Sequence, residues 1–523
     1  MHRKRISHES SEGLHPKRMH SWPAPNGHIC TDQPGNNPGT KLSLDKLPEE
    51  ILDSIIEHLG QRELLRFCLV SKAFLWPNLK RLYRKITMAH DAYFEEPEIP
   101  FQHLNYFTLM RLGSRGGFLA TVIQNEKLAA LIRSLTLTVK QGDETFPFIS
   151  QYFTMLLSHL RLESFHFADS IDIPWQLIET VQTMTCHLPW ETSFPPNLVE
   201  LKIHYDGCHV ESSLFEELAW ATIRHGAFHK LKKLAFGTLD YAHQFSSLWY
   251  DNVGAHGRPY WVDFFNILAQ EGIKLNLTFL RLDGEFWDNA EDKSACIVGQ
   301  AVQLNNLVSL DIAHSHYVLD QPRQPHEDGV HMFLDQITKN TPSLQHLAIS
   351  HTQGLDQYEI DALARVLREN LPNQLESLRI NFDDQDKSEV DGLRSTILNH
   401  QRNLVKIELE HNPFLHRHQD RKFTGIPAIS AYEADVINEK FSLDALSPRN
   451  FDYEFRKPFV EEDYWTAITS HKREILDFLL ADLIYSGAAE SLPLLTTYLV
   501  CGLYINMKDP SVFVNGKSMS LKE

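Results

Sequence analysis

The side chains best suited to chemistry in this 523-residue chain are its 28 histidines. Histidine titrates nearest neutral pH and is the commonest metal ligand, so its clusters have to be weighed first as metal sites or acid–base pairs. His314 stands two positions from His316, and His411, His416 and His418 lie close together. Neither group has the spacing of a zinc motif or a cysteine partner beside it. Glu461-Glu462-Asp463 could clamp a cation, but it reads more simply as the acidic first turn of a helix, where carboxylates meet the positive end of the dipole. There is no G-x-S-x-G, no Gly-rich phosphate loop closed by Gly-Lys-Ser/Thr and no H-E-x-x-H. No catalytic residue, cofactor or metal is therefore expected, and the chain is expected not to be an enzyme.

Composition points the same way. With 42% hydrophobic and 23% charged residues, the chain is of ordinary globular type and long enough for several folding units or one long repeat array. A net charge of −18 opposes general affinity for nucleic acid, because a polyanion repels phosphate. The most apolar run, Ser491 to Met507 (SLPLLTTYLVCGLYINM), is shorter than the roughly 20 residues of a spanning helix and contains Pro493, so it is expected as buried core and no membrane partner is expected. The opening MHRKRISHESS has no apolar stretch, which does not suit a secretory signal. Six well-separated cysteines without C-x-x-C suit reduced thiols in the cytoplasm and/or nucleus. There Asn276-Leu277-Thr278 is a chance match to a glycosylation acceptor.

Residues 1–40 hold little that could build a core and are expected to be a disordered tail. Two basic clusters in it, Arg3-Lys4-Arg5 and Lys17-Arg18, could form a split nuclear-import signal. From Leu47 the pattern changes to three short helices. Pro48 suits a first helical turn, followed by Ile51, Leu52, Ile55, Ile56 and Leu59 at helical spacing until Gly60. A second helix carries Leu64, Leu65, Cys68 and Leu69. Ser71 caps a third, with Phe74, Leu75, Leu79 and Leu82, which Pro77 is expected to bend or restart. So small a unit buries too little surface to be comfortable alone, and its spare apolar face needs a partner.

The order Leu47-Pro48-x-Glu50-Ile51, Ile55, Leu59, Glu63-Leu64, Val70-Ser71-Lys72-x-Phe74 resembles the F-box, through which substrate receptors dock on the Skp adaptor of cullin-RING ubiquitin ligases. Ser71 departs from the cysteine frequent at that place. Leu82-Tyr83-Arg84-Lys85-Ile86 is similar to the end of many fungal F-box segments. The resemblance implies adaptor contacts from Leu47, Pro48, Glu50, Ile51, Ile55, Leu59, Leu64, Val70 and Phe74.

Beyond it the chain repeats. The pattern L-x-x-L-x-L, allowing Ile or Phe, starts at Ile132, Leu162, Leu198, Leu231, Leu277, Leu307, Leu344, Leu375 and Leu404, at intervals of 30, 36, 33, 46, 30, 37, 31 and 29 residues. Most of these exceed the roughly 20–29 of a regular leucine-rich repeat, so an irregular array with insertions is expected. Helical patterns at 215–226, 331–340, 359–370 and 389–400 alternate with the strand patterns, which predicts a parallel sheet with helices outside. Three residues past each pattern stand Ser170, Asp206, Ser315, Thr352, Asp383 and Asn412, short polar residues that suit a backbone-bonding ladder; Lys140, Leu239 and Glu285 would break it. Tyr464–Tyr485 and Leu492–Ile505 look helical and are expected to cap the open end, with a separate binding domain as the alternative.

The expected class is thus α/β: a helical F-box at 41–90, a linker at 91–128 leading into the first repeat, an irregular leucine-rich-repeat solenoid at 129–418 and a helical cap at 419–523. By resemblance such a chain binds the Skp adaptor and, through it, cullin and RING subunits, and holds an unknown protein substrate on the repeats. The alternative is a leucine-rich-repeat scaffold outside any ligase. On the concave face the inner positions are His166, Lys202, Arg281, Asp311, Arg379 and Glu408, and the following ones include His204, Asp283, Ser350, Asn381 and Glu410. Substrate contacts are expected at Arg281, Asp311, Arg379 and Glu408, since Arg offers planar, bidentate recognition of carboxylate or phosphate. The competing reading pairs each Arg with an acid on the next strand, Arg281 with Asp311 for example.

Overall fold

The structure, a computed structural model, describes residues 47–57, 59, 61–89, 108–111, 114–138, 146–167, 175–187, 194–205, 212–226, 229–238, 261–284, 293–314, 330–351, 357–380, 390–409, 472–500, 503–509, 511–514 and 517–520. Two units divide the chain, Met1–Leu47 and Pro48–Glu523, and Leu47 is the one described residue of the first. The expected tail at 1–40, His316, His411, His416, His418 and Glu461–Asp463 lie outside the described residues. So do all nine positions of the expected post-strand ladder.

Three helices open the second unit: α1 Glu49–Glu57, α2 Gln61–Val70 and α3 Lys72–Arg84. The carbonyl of Pro48 accepts the backbone N–H of Leu52 at 3.0 Å, which sets the first turn of α1. Ser71 caps α3 from an extended backbone (φ −153°, ψ 148°), its hydroxyl oxygen accepting the N–H of Ala73 at 3.2 Å. Pro77 lies inside this helix, which runs on without a restart. A proline withdraws one backbone donor, and one residue on the buried amide of Asn78 donates to the carbonyl of Phe74 at 2.7 Å, an extra bond within the same turn. Leu52, Ile56, Leu64, Phe74 and Leu82 form a small core, with Leu59, Phe67, Cys68 and Tyr83 packed on it.

Helix α3 passes straight into β1 (Lys85–Ala89). The other strands are β2 Thr108–Arg111, β3 Ser134–Thr138, β4 Ser164–Phe167, β5 Thr183–His187, β6 Glu200–Tyr205, β7 Lys233–Thr238, β8 Phe279–Gly284, β9 Ser309–His314, β10 His346–His351, β11 Ser377–Ile380, β12 Lys406–Leu409, β13 Thr497–Val500, β14 Leu503–Asn506, β15 Ser511–Val514 and β16 Lys517–Ser520. They form one sheet in chain order except at one end, where β2 lies outside β1. Pairing is parallel from β2 through β13 and antiparallel from β13 to β16. Every L-x-x-L-x-L pattern forms a strand, and helices at Ser212–His225, Val330–Thr338, Gln357–Glu369 and Asp391–His400 stand where helical spacing predicts them. Parallel neighbours require such crossovers, since a tight turn can only reverse the chain.

Register is set by burial. The middle apolar residues Leu201, Leu234, Leu280, Leu310, Leu347, Leu378, Ile407 and Tyr498 are direct partners across neighbouring strands and all are buried. A one-residue slip would turn this entire row to the other face. One hydrophobic core runs from Ile86 to Ile505, and Tyr83 packs on it as well as on the helical core, stacking on Phe118 with ring centroids 6.5 Å apart.

Two features depart from expectation in the array. A strand at β5 buries Met184 and Cys186, with Val181 buried just ahead of it, so the 36-residue interval after Leu162 holds two repeats, with a 3-10 turn at Trp175–Ile178 between them. The sheet also begins at β1, ahead of the expected 129, because α3 feeds it directly. A polar ladder does exist, but just before the strands. Gln374 donates to the carbonyls of Thr341 and Leu344 at 2.7 and 2.9 Å, and buried Gln401 to those of Leu367 and Leu371 at 2.7 and 2.9 Å. Asn306 reaches Asn276 at 3.0 Å, and Asn197 reaches the carbonyl of Glu179 at 3.1 Å. Gln374, Gln401 and Asn197 thereby satisfy backbone carbonyls ahead of the strands, while Asn306 bonds the side-chain oxygen of Asn276.

The end of the chain corrects the expected helical cap. Lys472–Ala481 and Leu483–Ser491 are helices, but the described residues of 492–505 form a turn, β13 and part of β14. Its residues Leu495, Tyr498 and Val500 repeat the strand pattern and are buried, so the run foreseen as core is core, in strand form. Antiparallel strands β14–β16 follow it and cover the edge of β13, making short β16 the terminal strand of the sheet. Buried Asp482 ties helix to strand: one oxygen accepts the N–H groups of Ile484 and Tyr485 at 2.8 and 3.1 Å, the other the hydroxyl of Tyr498 at 2.7 Å.

Candidate interaction surfaces

Of the thirteen exposed large apolar side chains among the described residues, six sit on α1–α3: Ile51, Leu65, Leu69, Val70, Leu75 and Trp76. Leu69 is 83% and Val70 68% exposed, where a helical unit standing alone would have turned them inward. Pro48, Glu50 and Ile51 are exposed, while Leu47, Ile55 and Leu59 are half-buried. Two of the residues expected to touch an adaptor cannot present themselves. Leu64 and Phe74 are buried in the helices' own core, with Phe67 against Phe74 at a centroid distance of 5.3 Å, so their part is to hold the exposed side chains in place. Leu65, Leu69, Leu75 and Trp76 were not among the expected contacts. The signal for Leu65 and Leu69 was in α2 (QRELLRFCLV), and that for Leu75 and Trp76 in the start of α3 (KAFLWPNLKRLYR), where apolar residues cover more of the circumference than one buried stripe uses.

Across the sheet, the face turned away from the apolar row carries a second ladder. Thr87, Thr136, His166, Thr185, Lys202, Ala235, Arg281, Asp311, Ala348, Arg379 and Glu408 are successive cross-strand partners. The four expected substrate residues therefore share one row, but they face each other in pairs. Arg281 lies 3.3 Å from Asp311, and Arg379 3.5 Å from Glu408, which Lys406 also contacts. Glu200 is likewise shared by Lys202 at 3.5 Å and Lys233 at 3.2 Å. Asp283 is wholly buried. Asn381 and Glu410 fall outside the described residues, as do the side chains of His204, His314 and Ser350.

The early strands of this face are electropositive. Burial, with Lys202 and Lys85 nearby, holds the pKa of His166 down to about 3, so its ring is neutral. Its Nδ1 lies 2.8 Å from the hydroxyl of Thr185. Burial, followed by the charges of Arg81 and Arg84, lowers the pKa of Lys85. Burial also lowers that of Lys202, partly opposed by Glu200. Among the described residues no group of three His, Cys, Asp or Glu could hold a metal ion, and no helix is long and apolar enough to cross a membrane.

No curated protein matches the chain. Among solved structures it is similar to the leucine-rich repeat-containing protein LegL7 from Legionella pneumophila, at 15% identity over 55% of this chain and 77% of that one, with a TM-score of 0.30. The repeat assignment therefore rests on strand order and register. Residues 44–75 match the F-box domain family, a stretch that takes in α1, α2 and the start of α3. The chain thus carries an F-box domain, joined through α3 and β1 to a solenoid of leucine-rich-repeat type.

Proposed function

We propose that this protein is the non-catalytic substrate receptor of a cullin-RING ubiquitin ligase, working in the cytoplasm and/or nucleus. An F-box is in general a module for binding the Skp adaptor. The observation that carries the reading is the exposed apolar surface of α1–α3, concentrated on a unit whose own core is already complete. The adaptor would cover that surface and bring the cullin and RING subunits with it. The direct run of α3 into β1, with Tyr83 packed on both cores, leaves no flexible joint between the docking module and the repeats. A substrate held on the sheet would therefore stand at a fixed place relative to the ligase, which raises the local concentration of its lysines near charged ubiquitin.

The test is capture of purified adaptor by the full chain and by a Leu47→Ala/Pro48→Ala variant, together with mass spectrometry of what each copurifies from cells. Adaptor and cullin peptides with the parent chain, lost in the variant while the repeats stay folded, support the assignment. Unchanged adaptor capture by the variant removes its basis, and absence of adaptor and cullin from the parent favours a scaffold outside any ligase.

A further inference from the structure

The unmet bonding capacity on the open face of the sheet is all of one kind. Among the described residues, three buried polar side-chain atoms there have no hydrogen-bond partner: Ser134 Oγ, His166 Nε2 and Arg281 Nε. All three can act as donors. The ring of His166 is neutral and carries one proton, and when the Thr185 hydroxyl donates to Nδ1, Nε2 is left as an N–H with no acceptor. A buried donor without an acceptor costs about 1–3 kcal/mol, a cost that an incoming acceptor relieves.

Charge follows the same direction. On the open face of strands β1 to β8 the described side chains include four cations, Lys85, Lys202, Lys233 and Arg281, against two acids, Glu200 and the wholly buried Asp283. Solvent reaches the cations: the side chains of Lys233 and Arg281 are 52% and 33% exposed. Lys85 sits beside Ser134 in the register, with Arg81 and Arg84 adding positive charge rather than relieving it. In a chain of net charge −18, this is the reverse of the average surface. Beyond β8 the balance changes, since Arg281 and Arg379 each meet an acid one strand on.

We infer that the open face of strands β1–β8, next to the F-box, binds an extended segment of the substrate rich in anionic side chains, with Lys85, Lys202 and Lys233 supplying charge and Ser134, His166 and Arg281 supplying donors. This rests on the proposed receptor role and shifts the substrate site toward the earlier strands, keeping Arg281 of the expected contacts and leaving out Asp311, Arg379 and Glu408. Carboxylates and phosphate esters share the required chemistry, a dense set of anionic acceptors. A segment bound here lies close to the docked adaptor, because β1 is continuous with α3.

The experiment uses the full chain bound to its adaptor and fluorescence anisotropy with five labelled probes: a twelve-residue Glu peptide, a matched peptide bearing phosphoserines, a Lys peptide, a neutral Gly/Ser peptide and a twelve-nucleotide single-stranded DNA. One or both anionic peptides should bind, weaken with added salt, and lose at least tenfold in affinity on Lys85→Gln/Lys202→Gln. Lys233→Gln, at an exposed position, should lose severalfold without touching packing, and Arg379→Gln should lose little. Preference between the Glu and phosphoserine peptides identifies the source of the anion. Failure of both, or DNA binding as tight as theirs, overturns the inference, as does unchanged binding in the folded lysine variants. Adaptor capture is read in the same samples, so its loss speaks against the receptor role and its retention isolates a failure of the open-face site.

Discussion

Truncating Leu69 and Val70 together to Ala separates docking from folding. In the free chain these side chains are 83% and 68% exposed, so removing them takes almost nothing from the core. Full burial of a Leu or Val side chain is worth about 1.5–3 kcal/mol; scaled by those exposures, a partner that covers both gains about 2–4 kcal/mol from the pair. Their loss should therefore raise the Kd for adaptor by about 30- to 1000-fold, while the unfolding midpoint in urea stays put. Leu64→Ala and Phe74→Ala are the contrast. Both residues are buried in the helical core, so each should destabilise that unit by about 2–5 kcal/mol and weaken capture through unfolding instead. Calorimetric titration of adaptor into each variant, paired with urea unfolding, distinguishes the two effects. If the Leu69→Ala/Val70→Ala chain binds adaptor as tightly as the parent, the exposed end of α2 is not the docking surface and the argument from exposure fails.

Two further outcomes test the packing. His166 has a folded pKa of about 3 against an ordinary 6.5, so the unfolded chain takes up a proton there that the folded chain refuses. Its stabilising contribution is full above about pH 6.5 and is lost as pH falls towards 3, by about 1.4 kcal/mol per unit in between. His166→Gln should flatten that part of the urea-stability profile, and parallel profiles would show that the ring is not held neutral. Asp482→Ala removes the cap of the last helix and strands the hydroxyl of Tyr498, a loss of about 2–4 kcal/mol by urea unfolding. Asp482→Asn should lose less, and a loss within 0.5 kcal/mol of zero, roughly that of an ordinary surface change, would mean that the end of the sheet is held otherwise.

Much of this protein was legible in the order of its residues. Strand positions follow from local alternation: Leu201 and Ile203, or Leu378 and Ile380, point to one side of any extended chain whatever surrounds it. Helical spacing likewise marks α1–α3, and Ser71 caps α3 through atoms only two residues apart. The F-box was recognisable for the same reason, since its signature lies within one short stretch.

Other properties belong to contacts between distant residues. Met184 and Cys186 resemble no leucine pattern, yet they lie in β5 because the strands on either side leave a gap of one repeat in the apolar row. Leu492–Ile505 is apolar enough for a helix, and it became strands because β12 offered a free parallel edge. On α2, Leu64 and Leu65 are adjacent and alike; the packing of α3 buries the first and leaves the second exposed. Whether Arg281 is free for a ligand or paired with Asp311 was also open in the sequence. The parallel register places the two side by side across strands thirty residues apart, so that one terminal guanidinium nitrogen meets Asp311 while Nε keeps no hydrogen-bond partner among the described residues. Local pattern determines which face a side chain takes, and only the fold determines what stands opposite it.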